Sequence, residues 1–85
     1  MKEYIVKTYS DRIEYYNHNN LLHRLDGPAI IWKDGTQKWY YLGEVHSIAG
    51  PAVIKNDGTV EYWIRNNKLS YHDWLNKIKE ITENL

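Results

Sequence analysis

A fourteen-residue segment occurs twice in this chain, and its second copy begins 23 residues after the first. Residues 23–36 read HRLDGPAIIWKDGT, and residues 46–59 read HSIAGPAVIKNDGT. Eight of the fourteen aligned positions are identical, and two more keep an aliphatic side chain. Repetition at a period of roughly 20–50 residues is typical of folds in which one supersecondary unit stacks on the next. The repeat therefore predicts an architecture and leaves the chemistry of the chain open.

Each copy has the pattern of a β-hairpin. A Gly-Pro pair precedes an aliphatic run, and an Asp-Gly pair separates that run from a second one that contains aromatic residues. Asp-Gly is a strong hairpin signal because its glycine adopts the positive φ that a tight turn requires. Backbone geometry thus accounts for both pairs without a ligand. The predicted strands are residues 29–33, 36–41, 52–55 and 59–65, with turns at residues 34–35 and 56–58.

The residues before the two copies predict a further hairpin. Residues 2–9 and 13–17 are rich in β-branched and aromatic side chains, which is typical of strands, and residues 18–20 have turn chemistry. This first unit is a degenerate copy, because Asp11-Arg12 stands where the later units have Asp-Gly. The last unit carries one extra residue before a turn at residues 66–67, so we expect its period to lengthen to 24 there.

The apolar pattern becomes helical after the last hairpin. Ser70 and Asp73 form a pair similar to a capping box, which predicts a helix over residues 71–83. We expect this helix to pack on the last hairpin and to cap the open end of the stack, because terminal repeats need a cover. The apolar stripe of the predicted helix consists of Trp74, Ile78, Ile81 and Leu85.

Comparison of the two copies predicts which side chains face the core. The positions that stay apolar or aromatic in both copies should point inward, and the alternate positions should lie on the outer side. The predicted inward pairs are Ala29/Ala52, Ile31/Ile54, Trp39/Tyr62 and Tyr41/Ile64. On the outer side, Ile30/Val53 and Tyr40/Trp63 interrupt a polar pattern, so an apolar stripe there must be covered or must bind something.

The composition limits the classes of partner. The 11 Lys and Arg residues balance the 11 Asp and Glu residues, so the net charge of zero argues against duplex nucleic acid and against an anionic membrane surface. The chain has no Cys, which excludes disulfides and suits a reducing cytoplasm. No apolar run is long enough to span a membrane, and the N-terminus has no signal-peptide pattern. We therefore expect a cytoplasmic protein.

The hairpin unit resembles the MORN repeat, in the variant found in tandem in proteins of bacteriophages and large viruses. The resemblance is carried by residues 23–29 (HRLDGPA), residues 34–36 (DGT) and the aromatic pair at residues 39–40. The next copy keeps Gly50-Pro51-Ala52 but has Ser47 and Ala49 where the family has Arg and Asp. The resemblance covers about residues 11–70, and it implies a meander of β-hairpins, a phage-like origin and a scaffold or binding role.

We therefore predict an α+β, mainly β fold for the chain. It is an antiparallel meander of three MORN-like β-hairpin repeats with a C-terminal capping α-helix. The chain is interpreted as a single domain, residues 1–85. Within it, residues 1–22 form the degenerate first hairpin, residues 23–45 the second repeat, residues 46–69 the third repeat and residues 70–85 the helix.

No catalytic, metal or cofactor site is predicted. His23 and His46 occupy equivalent positions, and with His18 nearby a metal site is conceivable, but a residue kept at the repeat period is more often a structural element. Ser47 is next to His46 in the sequence, but adjacency alone does not bring a nucleophile, a base and an orienting group together as catalysis requires. Candidate binding residues are instead aromatic side chains on the sheet with charged residues nearby, and positions at which the two copies carry different residues. The candidate binding residues are Arg24, Asp26, Trp32, Lys38, Tyr40, Lys55, Trp63 and Arg65.

Three functions are compatible with these features. The first is a small phage-encoded, non-enzymatic protein that blocks or sequesters a host factor, for example one of antiviral defence, through protein–protein contact in the host cytoplasm. The second is a sponge for a nucleotide-like small ligand, which would stack on Trp or Tyr rings and pair with Arg or Lys. The third is a structural module whose unpaired edge strands form a homodimer.

Overall fold

The computed structural model of the chain describes residues 3–83. In this range nine short β-strands precede one α-helix. The strands are β1 (Ile5–Thr8), β2 (Arg12–Tyr16), β3 (Ile30–Trp32), β4 (Gln37–Lys38), β5 (Tyr40–Tyr41), β6 (Glu44–Val45), β7 (Val53–Ile54), β8 (Val60–Ile64) and β9 (Asn67–Leu69), and the helix is α1 (Tyr71–Glu83).

The strands form an antiparallel meander. Seven of them make one sheet in the order β1-β2-β3-β4-β7-β8-β9, which follows the chain apart from one excursion. The excursion is the hairpin β5–β6, whose two strands pair only with each other. Every strand pair is antiparallel. The structure thus confirms the prediction of a mainly β, antiparallel fold that ends in a helix.

One face of the sheet alternates large and small side chains from strand to strand. The hydrogen-bond register places Tyr15, Ala29, Trp39, Ala52 and Tyr62 in one row across the sheet. Both alanines are fully buried, with 0% exposure, because the neighbouring aromatic side chains cover them. An alanine after each Gly-Pro pair is therefore required by packing. We call this side the helix face, since α1 packs on it.

The opposite side, which we call the ladder face, adds two residues to the predicted core. Its central row runs Lys7, Glu14, Ile30, Lys38, Val53 and Glu61. Ile30 and Val53 were expected on the outer side, in a stripe that must be covered or must bind something, and they are covered, since they are only 6% and 4% exposed. The register places Lys38 between them, where the aliphatic stem of a lysine can cover apolar neighbours.

The helix face is less buried than predicted. Ile31, Ile54, Trp39 and Tyr62 are half-buried, and of the expected inward residues outside the two alanines Ile64 is buried. Tyr41 was expected in the core but is 45% exposed, because it belongs to the β5–β6 hairpin beyond the main sheet. A single helix covers one end of this face, so much of its apolar surface stays accessible.

Helix α1 docks through its first turns. The Ser70 hydroxyl accepts a hydrogen bond from the Asp73 backbone N–H at 3.1 Å, which confirms the predicted N-cap. Trp74 is 7% exposed and packs on Tyr62, with ring centroids 4.9 Å apart, so the helix contacts β8 and β9 as expected. Ile81 is 37% exposed, so the distal half of the stripe is uncovered, and Leu85 lies outside the described residues.

No helix within residues 3–83 has the length and apolarity needed to cross a bilayer.

The turn geometry corrects the predicted lengthening of the repeat. Leu42 and Gly43 have φ of 49° and 84°, and Arg65 and Asn66 have φ of 49° and 69°, which is the pattern of two-residue type I′ turns. These turns are 23 residues apart, so the expected period of 24 is wrong. Asn67, expected in the turn, instead begins β9. The strands β6 and β9 were not predicted, because two or three mainly polar residues carry little strand signal.

Candidate functional site

Two loops form the walls of a cleft on the helix face. The loop of residues 23–28 contributes Arg24 and Leu25 to one side, and the loop of residues 46–51 contributes residues 46–49 to the other. Trp39 lies between them. The cavity has a volume of about 420 Å³ and is mostly apolar. Leu25 and Ile48 are 57% and 51% exposed at its rim, although both are large aliphatic side chains. We call this cavity the loop cleft. It is lined by Arg24, Leu25, Trp39, Tyr40, Tyr41, His46, Ser47, Ile48 and Ala49.

Side chains of the first hairpin hold the first wall of the cleft. The Arg24 guanidinium lies 4.0 Å from the centroid of the Tyr15 ring, and its Nε donates to Asp26 at 3.0 Å. The Leu25 backbone N–H donates to the Tyr4 hydroxyl at 2.9 Å. These contacts join the loop to β2 and to the segment before β1. Arg24 and Asp26, predicted as binding residues, thus position the wall.

The helix and β8 hold the second wall. The Ser47 backbone N–H donates to the Trp63 carbonyl at 3.1 Å, and the Ser47 carbonyl accepts from Trp74 Nε1 at 2.9 Å. Ser47 stands where the preceding copy has Arg24, and it is 9% exposed beneath the helix. A serine leaves space for Trp74 that an arginine side chain would fill. The Arg24/Ser47 difference therefore follows from how each wall is anchored.

Two histidines fix the type I′ turns beside the cleft. His23 Nδ1 accepts from the Leu42 backbone N–H at 2.9 Å, and His46 Nδ1 accepts from the Arg65 backbone N–H at 3.1 Å. The Tyr41 ring lies between the two imidazoles, with centroids 5.0 Å and 5.9 Å away. Burial, and then the Arg65 charge, lowers the pKa of His46, so its imidazole is neutral at pH 7.

The histidines do not converge. His18 lies elsewhere, 3.5 Å from Glu3, and no group of three His, Asp or Glu side chains within the described chain is placed to hold a metal. Arg65, another predicted binding residue, is exposed on its turn at 3.6 Å from Glu44. It lines a separate, more polar cavity of about 310 Å³ together with Tyr41, Leu42, Glu44 and His46.

Five of the eight predicted binding residues lie on the ladder face, opposite the helix. They are Trp32, Lys38, Tyr40, Lys55 and Trp63, as the strand register and the contacts below show. Tyr40 also contributes to the lining of the loop cleft. The face also carries two carboxylates, Glu14 and Glu61, that the sequence analysis did not select. Each one accepts a hydrogen bond from an aromatic side chain, Glu14 pairs with one cation and Glu61 pairs with two, so the charged side chains form two separate clusters.

The first cluster surrounds Glu61. Its carboxylate accepts from Trp63 Nε1 at 2.9 Å and pairs with Lys55 at 3.1 Å and with Lys68 at 3.4 Å. The hydrogen bond from Trp63, followed by the one from Lys55, lowers the pKa of Glu61 to about 2. Glu61 is therefore ionised at neutral pH, and Lys55 and Trp63 serve first as its partners.

The second cluster surrounds Glu14, which is 8% exposed. Burial alone would raise its pKa, but hydrogen bonds from the Tyr16 hydroxyl at 2.5 Å and from Arg12 Nε at 2.7 Å outweigh burial and lower it. The bond to Glu14 raises the pKa of Tyr16 to about 12. Burial and the Glu14 charge also raise the pKa of Tyr40, which lies close by.

Lys38 lies between the two clusters and belongs to neither. Its ammonium is 5.5 Å from the centroid of the Trp32 ring. Within residues 3–83, no carboxylate is at ion-pair distance from it. The ladder face thus has a central cation without an acidic partner in the described chain.

The residues that form the rim of the loop cleft, Leu25 and Ile48, were not predicted from the sequence. Leu25 and Ile48 occupy equivalent positions two residues before each Gly-Pro pair, and the aliphatic residue kept in both copies was the available signal. The eight predicted residues divide among three places: the first wall of the cleft, the Arg65 turn and the ladder face. The chain matches no protein-family model, no curated protein and no solved structure.

Proposed function

We propose that the chain is a non-enzymatic binding protein that holds an uncharged, apolar segment of a partner protein in the loop cleft. The observation that carries the proposal is the exposure of Leu25 and Ile48 on two walls that face each other across Trp39. Exposed aliphatic side chains around a concave apolar surface are typical of contact sites.

The anchoring of both walls supports binding by a preformed site. The first wall is bonded to Tyr4 and Tyr15, and the second is bonded to Trp63 and Trp74. A site that is already ordered loses less conformational entropy when a partner binds. The cleft therefore suits a segment that inserts one or two side chains without rearranging the loops.

The charges around the cleft indicate which side chains the partner presents. Arg24 is paired with Asp26, and the lowered pKa of His46 leaves its imidazole neutral at pH 7. A charged side chain of the partner would lose hydration in the cavity without gaining an opposite charge. We therefore expect aliphatic or aromatic anchors, and we expect charged residues only outside the cleft.

The finer architecture is part of the proposal. We interpret the sheet as three MORN-like hairpin repeats capped by α1, and the equal 23-residue spacing of the hydrogen bonds made by His23 and His46 supports this interpretation. The resemblance to the viral variant of this repeat extends the proposal to a phage-encoded protein that sequesters a host factor in the host cytoplasm. The apolar cleft supports a protein partner for that role.

The proposal can be tested by selecting binders from a random peptide library displayed on an unrelated scaffold. We expect the selected peptides to share an uncharged aliphatic or aromatic core, and we expect the double variant Leu25→Ser, Ile48→Ser to bind them at least about tenfold more weakly by calorimetry. The matched control is Val60→Ser, since Val60 is 43% exposed on β8 and lies outside the cleft. Equal binding by the double variant, or a failure to select any peptide, would contradict the proposal.

A further inference from the structure

We propose that two copies of this chain form a dimer by pairing their β1 strands edge to edge, so that the two sheets become one. The partner is a second copy of the chain, and the contact neither overlaps the loop cleft nor depends on the function proposed for the cleft. Three features of β1 support the proposal: its open backbone groups, its exposed aliphatic side chains, and charges that complement each other in one self-pairing register.

Strand β1 is an open edge of the sheet. It lies at the end of the strand order, and in the described chain it pairs with β2 alone. Val6 faces Tyr15 of β2 in the register, but both backbone groups of Tyr15 bond on the other side of β2, to Ala29 and His23. Val6 and Tyr15 are therefore a non-hydrogen-bonded pair, and the N–H and carbonyl of Val6 point away from the sheet. The same alternation turns the backbone groups of Tyr4 outward.

The edge exposes aliphatic side chains on both faces. Val6 is 51% exposed on the helix face, and Ile5 is 40% exposed on the ladder face. Proteins usually protect such an edge, because unpaired backbone groups beside apolar side chains favour pairing with another strand. Lys7 is the charged residue of β1. A lysine opposes pairing with an unrelated strand, but it permits pairing with a strand that presents a carboxylate at the facing position.

The charges select the register of the pairing. A two-fold contact between identical strands pairs them antiparallel, and the outward backbone groups permit a centre at Ile5, Val6 or Lys7. A centre at Lys7 would place two lysines opposite each other, and a centre at Val6 would place Lys7 opposite Ile5. A centre at Ile5 places Glu3 of each copy opposite Lys7 of the other. Opposite charges that face each other across two strands stabilise a sheet, whereas like charges destabilise it, so we infer the centre at Ile5.

Both charged side chains are available for this contact. Glu3 lies 3.5 Å from His18, which continues the register that pairs Ile5 with Tyr16 and places Glu3 on the same face as Lys7. The side chains of Glu3 and His18 are 69% and 68% exposed, and the second Glu3 oxygen can accept from a lysine while the first keeps this contact. The Lys7 ammonium lies 4.3 Å from the centroid of the Tyr16 ring, and no carboxylate in residues 3–83 is at ion-pair distance from it.

Sedimentation of the full chain at concentrations up to about 1 mM tests the proposal, and we expect a reversible monomer–dimer equilibrium. Glu3→Lys and Lys7→Glu should each dimerise at least about tenfold more weakly, because either change puts like charges at both symmetry-related positions. An equimolar mixture of the two variants should recover the dimer, because the two chains then present opposite charges to each other. Lys79→Glu, on the exposed helix surface, is the control and should dimerise as the wild type does.

The variant Val6→Pro tests the backbone pairing. It removes an N–H that points outward and that makes no bond to β2, so the chain should fold but dimerise at least about tenfold more weakly. Val6→Thr is the matched control, because it keeps both the N–H and a β-branched side chain. In ¹H–¹⁵N NMR of the wild type, the shifts that depend on protein concentration should fall at Ile5 and Val6 and not at Leu25 or Ile48.

Four results would overturn the proposal. The first is a chain that stays monomeric at about 1 mM. The second is wild-type dimerisation by either charge variant or by Val6→Pro. The third is a mixture of the two charge variants that associates no more tightly than each variant alone. The fourth is a set of concentration-dependent shifts centred on Leu25 and Ile48, because the copies would then meet at the loop cleft.

Discussion

On the ladder face, neighbouring side chains determine the pKa of the Glu61 carboxylate. Glu61 has a pKa of about 2, against an ordinary value of 4.5, because Trp63 and Lys55 donate hydrogen bonds to it. A lowered pKa in the folded state means that the ionised carboxylate stabilises the fold above about pH 4.5. That stabilisation is lost as the pH falls from about 4.5 towards 2.

The variant Trp63→Phe removes the indole donor and should raise the pKa of Glu61 towards its ordinary value. NMR titration of the side-chain carboxyl group measures this directly, and urea unfolding at several pH values should show a smaller loss of stability on acidification. Trp39→Phe is the control, because Trp39 lies on the helix face and makes no contact with Glu61. A Glu61 pKa that does not move in Trp63→Phe would mean that the indole bond does not hold the charge.

For single residues, the sequence predicted the face on which a side chain lies but not its partners on other strands. Trp32, Lys38 and Trp63 were selected by type and by mismatch between copies, and the strand alternation placed them correctly on one face. Glu61 was not among the residues selected. Its partners became visible only with the strand register, because the pairs with Lys55 and Lys68 join side chains on different strands.

The type I′ turns determine where each element ends. Leu42 has φ of 49°, a conformation that costs a branched side chain about 1 kcal/mol and that asparagine tolerates. Leu42→Asn should therefore raise the free energy of unfolding by about 0.5–1 kcal/mol, because Leu42 is 48% exposed and gives up little burial. Urea unfolding measures the change.

Leu21→Asn is the matched control for this prediction. Leu21 is 41% exposed, and it is not among the residues with positive φ, so the change removes similar apolar surface without relieving the backbone. We expect no stabilisation from it. Equal effects of the two variants would show that apolar exposure, and not backbone conformation, determines the result.

The predictions at the level of elements were correct where local chemistry determines the structure. Ser70 caps the N-terminus of the helix, and the Asp-Gly turns form where expected, with Gly35 and Gly58 at positive φ. The prediction of turn 66–67 was wrong by one residue, because Asn66 and Asn67 are equally good turn residues in sequence. The hydrogen bond from the Arg65 backbone to His46, 19 residues away, accompanies the turn at Arg65–Asn66.

At the scale of the whole molecule, helix α1 lies where it supports the second wall of the loop cleft. Trp74 Nε1 bonds to the Ser47 carbonyl, and residue 47 belongs to the second wall. The variant Trp74→Phe keeps a ring against Tyr62 but removes this bond, so it should loosen the loop. Amide hydrogen exchange should become faster at Ser47 and stay unchanged in β1 and β2, which lie at the opposite end of the sheet from β8 and β9.

Trp32→Phe is the control for this experiment, because Trp32 lies on the ladder face. Exchange that accelerates uniformly through the chain in Trp74→Phe would indicate global destabilisation and not a local support of the wall. Unchanged exchange at Ser47 would show that the indole bond is dispensable for the loop.

The loop cleft could not be predicted from the sequence. Leu25 and Ile48 belong to different copies of the repeat, and no pattern within one copy shows that their loops face each other. Their opposition follows from the meander, which places successive loops side by side, and from the contacts that join each loop to a different part of the molecule. The sequence repeat thus predicted the hairpin meander, whereas the loop cleft results from the packing of the loops.

The central claim is that a partner segment binds between the two loops. It is tested most directly by ¹H–¹⁵N NMR of the full chain with the tightest peptide selected from the library. We predict that the largest shifts fall at Leu25, Trp39 and Ile48 and that the ladder face is unaffected. Shifts centred on Lys38, or on the exposed helix surface around Ile81, would contradict the claim.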